Sequence, residues 1–163
     1  MNRFFKYCFI VQVLLAVYFQ LLNWFPLGSL NAQANFTPAF DSLRSGKLSW
    51  SDGVFLFAFI VPVIVYYIGM IKKQLWLMIL SIVFYMTWFI LQITTWWKAY
   101  IFGADDRWYN TYQRVFSATH KILPSRGRHL PPDTEHLLIQ IFLLSIFILF
   151  IKAMVHRKNR LGR

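Results

Sequence analysis

From Gly53 to Trp97 the chain reads GVFLFAFIVPVIVYYIGMIKKQLWLMILSIVFYMTWFILQITTWW, and its only charges are the adjacent Lys72 and Lys73. A helix that crosses a hydrocarbon core takes about 20 apolar residues. The stretch therefore divides into two spans, residues 53–71 and 74–97, joined by a minimal two-lysine hairpin. Working outward, residues 4–22 and 136–155 are apolar runs of the same length. Between the runs lie residues 23–52, with Pro26, Gly28, Pro38 and Gly46, and residues 98–135, the longest polar stretch. No internal repeat is visible. The expected fold is all-α: a four-helix transmembrane bundle forming one membrane domain over residues 1–163.

Composition supports this reading. Of 163 residues, 58% are hydrophobic, 20% aromatic and 14% charged, more apolar surface than a soluble domain of this size can hide. Seventeen Lys and Arg against six Asp and Glu leave a net charge of +11. In a soluble protein that excess would suggest nucleic acid, but here the cations lie between apolar runs, so no nucleic-acid partner is expected. The basic tail, residues 156–163, is read as a topology determinant that touches anionic lipid. Cys8 is the single cysteine, which excludes an intrachain disulfide and a cysteine-pair metal or redox site; it is expected to be a small packing residue.

Direction follows from the flanking cations, which tend to stay cytoplasmic. With the N-terminus inside, the short inner segments hold Arg3, Lys6, Lys72, Lys73, Lys152, Arg157, Lys158, Arg160 and Arg163 and no acid, while all six acids fall outside. Both termini are expected in the cytoplasm and the chain in the cell (inner or plasma) membrane. Trp24, Trp50, Trp96, Trp97 and Trp108 would then gather at the outer headgroup level and Trp76 at the inner one. The rival reading of the first run is a cleaved signal peptide with Ala32, Gln33 and Ala34 at the processing site. Asn35, Phe36 and Thr37 match a glycosylation sequon on the side read as external, a match that would be accidental if the chain were bacterial.

No Asp, Glu or Arg lies within the spans, which counts against a proton-coupled pump or an ion channel. Amides and hydroxyls do occur there at helical spacing: Gln12, Ala16, Gln20 and Asn23 on the first helix; Ser81, Trp88, Gln92 and Thr95 on the third; His136 and Gln140 on the fourth. Ala58, Pro62 and Gly69 give the second helix a small-residue face for close approach. By depth, Gln20, Asn23, Gln92, Thr95, His136 and Gln140 fall in the outer third, with little comparable in the cytoplasmic half. Two readings stand side by side. Either these groups line a polar pocket beneath the outer loops, or they hold helices together.

In residues 98–135, Gly103 and Ala104 break the third helix, Asp105 can cap a new one and Pro124 stops it. On that helix Trp108, Tyr112, Val115, Phe116, Thr119, Ile122 and Leu123 share a face opposite Asn110, Gln113, Arg114, Ser117 and Lys121. An amphipathic helix on the outer surface is expected. A basic turn, Ser125 to His129, and the stiff Pro131 and Pro132 come next, with Asp133 capping the last span. The pattern Trp96, Trp97, Tyr100, Gly103, Trp108, Tyr112, Phe116, Thr119, Leu123, Pro124, Pro132, Asp133 and His136 resembles that of small multi-pass membrane proteins of bacteria to which no function is assigned. The resemblance covers about forty residues and the flanking apolar runs. It implies a bacterial membrane setting and nothing about chemistry.

The expected function is that of a noncatalytic membrane protein binding a lipid-like ligand or a partner protein at its outer face. Its contact residues would be Gln20, Asn23, Gln92, Thr95, Trp96, Trp97, Arg114, Arg126, Arg128, His136 and Gln140. Arginines engage phosphate bidentately and aromatic rings offer flat apolar area. The alternative is a small enzyme acting on a lipid or isoprenoid-like substrate, with His120, Asp133 and His136 as acid-base or metal residues. A third reading is a subunit of a larger complex or a homo-oligomer. No cofactor and no metal are expected: His129, Asp133 and His136 are near in sequence, but no metal-binding spacing appears.

Overall fold

The computed structural model describes residues 3–33 and 57–161, the side chains of Arg160 and Leu161 excepted. The sequon, Trp50 and the first four residues of the second expected span lie outside the described residues. Every regular element described is helical: α1, Arg3–Trp24; a 3-10 turn, Gly28–Leu30; α2, Ile60–Ile71; α3, Leu75–Phe102; α4, Asp106–Val115; and α5, Thr134–Leu161. Three of these, α1, α3 and α5, are long and apolar enough to cross a membrane. The fourth expected span corresponds in part to α2, which is shorter, at 12 residues.

Buried positions on each helix follow a three-then-four spacing. On α1 they are Phe5, Cys8, Gln12, Leu15, Phe19 and Leu22; on α3, Met78, Ser81, Tyr85 and Gln92; on α5, Ile139, Leu143, Ile146 and Ala153. α2 and the residue before it repeat the pattern with Phe59, Pro62, Tyr66 and Gly69. Such a seam keeps facing its neighbour when helices cross at a shallow angle. Ring contacts give the directions. Phe4 meets His156 and Tyr18 meets Phe142, Phe9 meets Tyr67 and Phe19 meets Phe59, and Phe89 meets Phe147. Neighbouring helices therefore run antiparallel, and the start of α1 lies beside the end of α5.

The opposite faces are as apolar as the seams. α1 exposes Tyr7, Ile10, Leu14, Val17 and Leu21, and α5 exposes Ile141, Leu144, Ile148, Ile151 and Val155. A helix apolar all round belongs in a protein core or in lipid, and these faces have no protein against them. In lipid, burying more apolar surface against a neighbour brings little, so close packing and hydrogen bonds must hold the helices together. Aromatic stacking around Phe59, which touches Phe19, Phe84, Tyr85 and Trp88, is one such contact.

α2 and α3 turn into one another through Lys73, whose φ of 55° places it in the left-handed region. Gln74 N donates to Gly69 O and Lys73 N to Met70 O, which satisfies the last carbonyls of α2 in the Schellman manner. Pro62 is tolerated because it sits in the first turn of α2, where its missing N–H has no partner to lose. Of the small-residue face, Pro62 and Gly69 are buried and Ala58 is half-buried, interleaved with the bulky Phe59 and Tyr66.

Candidate functional site

The end of the molecule away from the termini is built from the last turns of α3 and the chain that returns from them to α5. α3 does not keep one period. Residues Ile93–Trp97 form a π-turn, which spends an extra residue and rotates every later side chain about the helix axis. A three-residue step from Gln92 predicts Thr95 on the inner face. Instead Thr95 is exposed and Trp96 takes the inner place, 3% exposed. Trp96 is thereby the centre of a cluster with Ala99, Ala104, Tyr112 and Leu130, against which Trp97, Trp108, Tyr109 and Phe116 pack.

Asp105 caps α4, its Oδ1 accepting from Trp108 N at 2.7 Å. The helix ends at Val115 rather than continuing to Pro124. Beyond it Thr119 Oγ1 donates to Phe116 O, and the Lys121 ammonium donates to the carbonyls of Phe116, Ser117 and Thr119 at 2.7, 3.2 and 2.9 Å. These bonds offer the backbone an end other than more helix. Burial lowers the Lys121 pKa, partly countered by the negative charge of Asp133. Tyr112 donates to Pro131 O at 2.9 Å, and burial, with Asp133 nearby, holds its hydroxyl well above the ordinary phenol range. Tyr112 and Thr119 are buried and Arg114, Gln113 and Asn110 exposed, as the amphipathic pattern predicts; Ile122, expected inward, is exposed.

The basic turn closes on itself through paired Arg126 and His129 backbone bonds, with Gly127 at φ 58°. It is clasped to α3 and α4: Arg128 pairs with Asp106 at 2.6 Å and lies over the Tyr109 ring, Ala104 N donates to Arg128 O, and His129 Nδ1 bonds Tyr100 O at 2.9 Å. Arg114, Arg126 and Arg128 all face solvent.

Of the three acid-base candidates, two meet. Asp133 is fully buried, and its Oδ1 accepts from His136 N at 3.0 Å and from His136 Nδ1 at 2.6 Å. Since a carboxylate only accepts, Nδ1 carries the proton and Nε2 of a neutral ring is left as the acceptor. The other oxygen, Asp133 Oδ2, is buried without a hydrogen bond. His136 packs against Trp96 with ring centres 4.3 Å apart. His120 is engaged elsewhere: Thr134 Oγ1 donates to His120 O, so His120 Nδ1 donates back to Thr134 Oγ1 at 2.7 Å. Among the described residues no three of His, Cys, Asp and Glu gather as a metal site would require.

The expected interior amides do not converge on one pocket. Gln140 Nε2 donates to Gln92 Oε1 at 3.4 Å, and Trp97 Nε1 donates to Gln140 Oε1 at 2.6 Å, so these three partner one another across α3 and α5. Gln20 instead accepts from Trp24 Nε1 on its own helix and lines a shallow apolar groove with Ala16, Val17 and Ile60. Asn23 donates to Phe19 O. Polar bonding is not restricted to the loop end. Nearer the termini Gln12 accepts from Ser81 Oγ at 3.2 Å and donates to Cys8 Sγ, which bonds Ile146 O, and Tyr66 donates to Phe5 O. The sequence places Gln12 and Ser81 on inward faces, but Cys8 reads as a packing residue, and nothing in the sequence points to Tyr66. Asn31 holds Leu22 O, Phe25 O and Leu27 N and so finishes α1. Only its type, an Asn soon after a helix end, hinted at that role. Comparison with known protein families, with curated proteins and with solved structures finds nothing that matches the chain.

Proposed function

We propose that this chain is a multi-pass membrane protein of a bacterial inner membrane, with four crossing helices, both termini cytoplasmic, and α4 lying at the outer surface. In this reading it is noncatalytic and binds lipid at its outer face. One observation carries it: the helices are apolar on their unpacked faces while their polar side chains bond one another inside. α2 supports its own place as a span, since Phe57, Val61, Ile64, Tyr67 and Ile71 are exposed apolar residues beside it or along it. At the loop end, exposed Arg114, Arg126 and Arg128 stand at the level where phosphates would lie. The Gln92–Gln140–Trp97 group supports helix association over a ligand pocket, because its donors and acceptors are spent on each other.

Native mass spectrometry of the whole protein, extracted in mild detergent with added phospholipid, tests this. We expect retained phospholipid, and less of it after Arg114, Arg126 and Arg128 are together changed to Gln. Retention of no phospholipid above the detergent background overturns the reading, and a fixed stoichiometry with other chains would replace it with the subunit one.

The Asp133–His136 pair favours a second reading, an enzyme acting on lipid, because a buried carboxylate that fixes one imidazole nitrogen leaves the other as a base. Under it, cells carrying His136→Ala should accumulate the same lipid as cells lacking the chain. Identical lipid profiles with and without the chain would remove it.

A further inference from the structure

Where α3 ends, its last turns and the chain doubling back over them border an open notch of about 200 Å³, with Thr95, Lys98, Gly103, Asp105 and Trp108 in its wall. The notch exists because the chain reverses at Gly103, whose φ of 88° suits glycine, and a Cβ there would meet only Arg128 Cβ, at 3.9 Å. Thr95, exposed within the π-turn, borders the rest of the opening.

The wall is chemically two-sided. Lys98 brings an ammonium and Asp105 a carboxylate, and among the described residues neither is in an ion pair; the two ion pairs are Arg128–Asp106 and His136–Asp133. Asp105 Oδ1 is occupied by the α4 cap, so its other oxygen remains for a donor. Thr95 is exposed, while its neighbour Thr94 spends its hydroxyl on Ile90 O and Leu91 O. One helical turn further from the loops, Ile90 and Leu91 present apolar surface outward.

We propose that this notch holds the head group of a phospholipid that carries a primary amine. Its phosphate lies against the Lys98 ammonium and the Thr95 hydroxyl, its ammonium against Asp105, and its acyl chains along Ile90 and Leu91. The proposal rests on the lipid-binding reading above and names the lipid. A purely anionic head group would set Asp105 against like charge. A quaternary ammonium has no N–H to donate to the carboxylate, and so loses the charge-assisted bond.

The test offers the full-length protein an equal mixture of phosphatidylethanolamine, phosphatidylglycerol and phosphatidylcholine of identical chains, and reads by native mass spectrometry which survives collisional activation. One phosphatidylethanolamine is expected to be retained about tenfold over the others. Asp105→Asn keeps the helix cap, since Asn caps as well as Asp; it should bring phosphatidylethanolamine and phosphatidylcholine to parity. Lys98→Gln, and separately the exposed Thr95→Val, should lower retention of all three. Equal retention by the unaltered protein, a preference for phosphatidylglycerol, or a preference unchanged in all three variants overturns the proposal. These results differ from failure of the lipid-binding reading itself, in which no lipid of any class is held.

Discussion

At Gly69 the backbones of α2 and α3 come within reach of each other. A Cβ there would stand 2.9 Å from Met78 Cγ and 3.0 Å from both Leu77 Cβ and Met78 N. The Met78 side chain can swing away, but its backbone nitrogen is held by the turn through Lys73. Gly69→Val should therefore destabilise the protein by about 1–3 kcal/mol, read as a lower unfolding midpoint in detergent. An unchanged midpoint would mean that α2 and α3 can separate freely. Gly69 was legible in sequence as a close-approach residue because its small size, at helical spacing from Pro62, points to one face. Its neighbour in contact was not legible, since nothing in a one-dimensional pattern says which helix a face will meet. Asp133 was legible as a helix cap for the same local reason, and its bond to His136 Nδ1 follows from that capping geometry. What a sequence could not supply is the burial that leaves its second oxygen without a partner.

Among the elements, α3 departs furthest from its sequence pattern, and it does so at its end. A three-residue step from Gln92 puts Thr95 inward, whereas Thr95 is exposed and Trp96, four residues on from Gln92 and within the π-turn, is buried. In a chain whose Cys8 is replaced by Ala, Thr95→Cys should react quickly with a small maleimide, and Trp96→Cys should be protected at least several-fold. Equal rates would show that Trp96 is not buried while Thr95 is exposed. No residue type in Ile93, Thr94, Thr95, Trp96 and Trp97 announces a π-turn, and the ring cluster around Trp96 is built with the returning loop, which a local pattern does not contain. α4 divides the same way. Its start at Asp105 was written in the cap residue, whereas its end at Val115 depends on Lys121 reaching back to three carbonyls, a contact that exists only once the loop has closed.

For the whole molecule, the proposed function turns on direction across the bilayer. The antiparallel contacts put the beginning of α1 beside the end of α5, so both lie at one end of the molecule. The short cation-rich segments argue for the cytoplasm. Ser125→Cys, exposed in the basic turn, should be labelled by a membrane-impermeant maleimide added to intact cells in the Cys8→Ala chain. Labelling only after the cells are opened would reverse every inside and outside assignment in the proposed function.

The sequence by itself determined that the chain is helical and apolar beyond what a soluble domain can bury, because hydropathy and period are local and additive along the chain. It also located the turns at Lys72 and Lys73 and at Gly103, where charge or backbone freedom interrupts a run. Tertiary structure alone decided that Gln92 and Gln140 bond each other while Gln20 turns to Trp24. It also placed Gln12 with Ser81 and Cys8, and set Thr95 and Lys98 beside Asp105 around one open notch. Hydrogen bonds between side chains on different helices depend on how those helices rotate and how deeply they pass one another. Rotation is fixed by the summed packing of every seam residue, not by any residue alone.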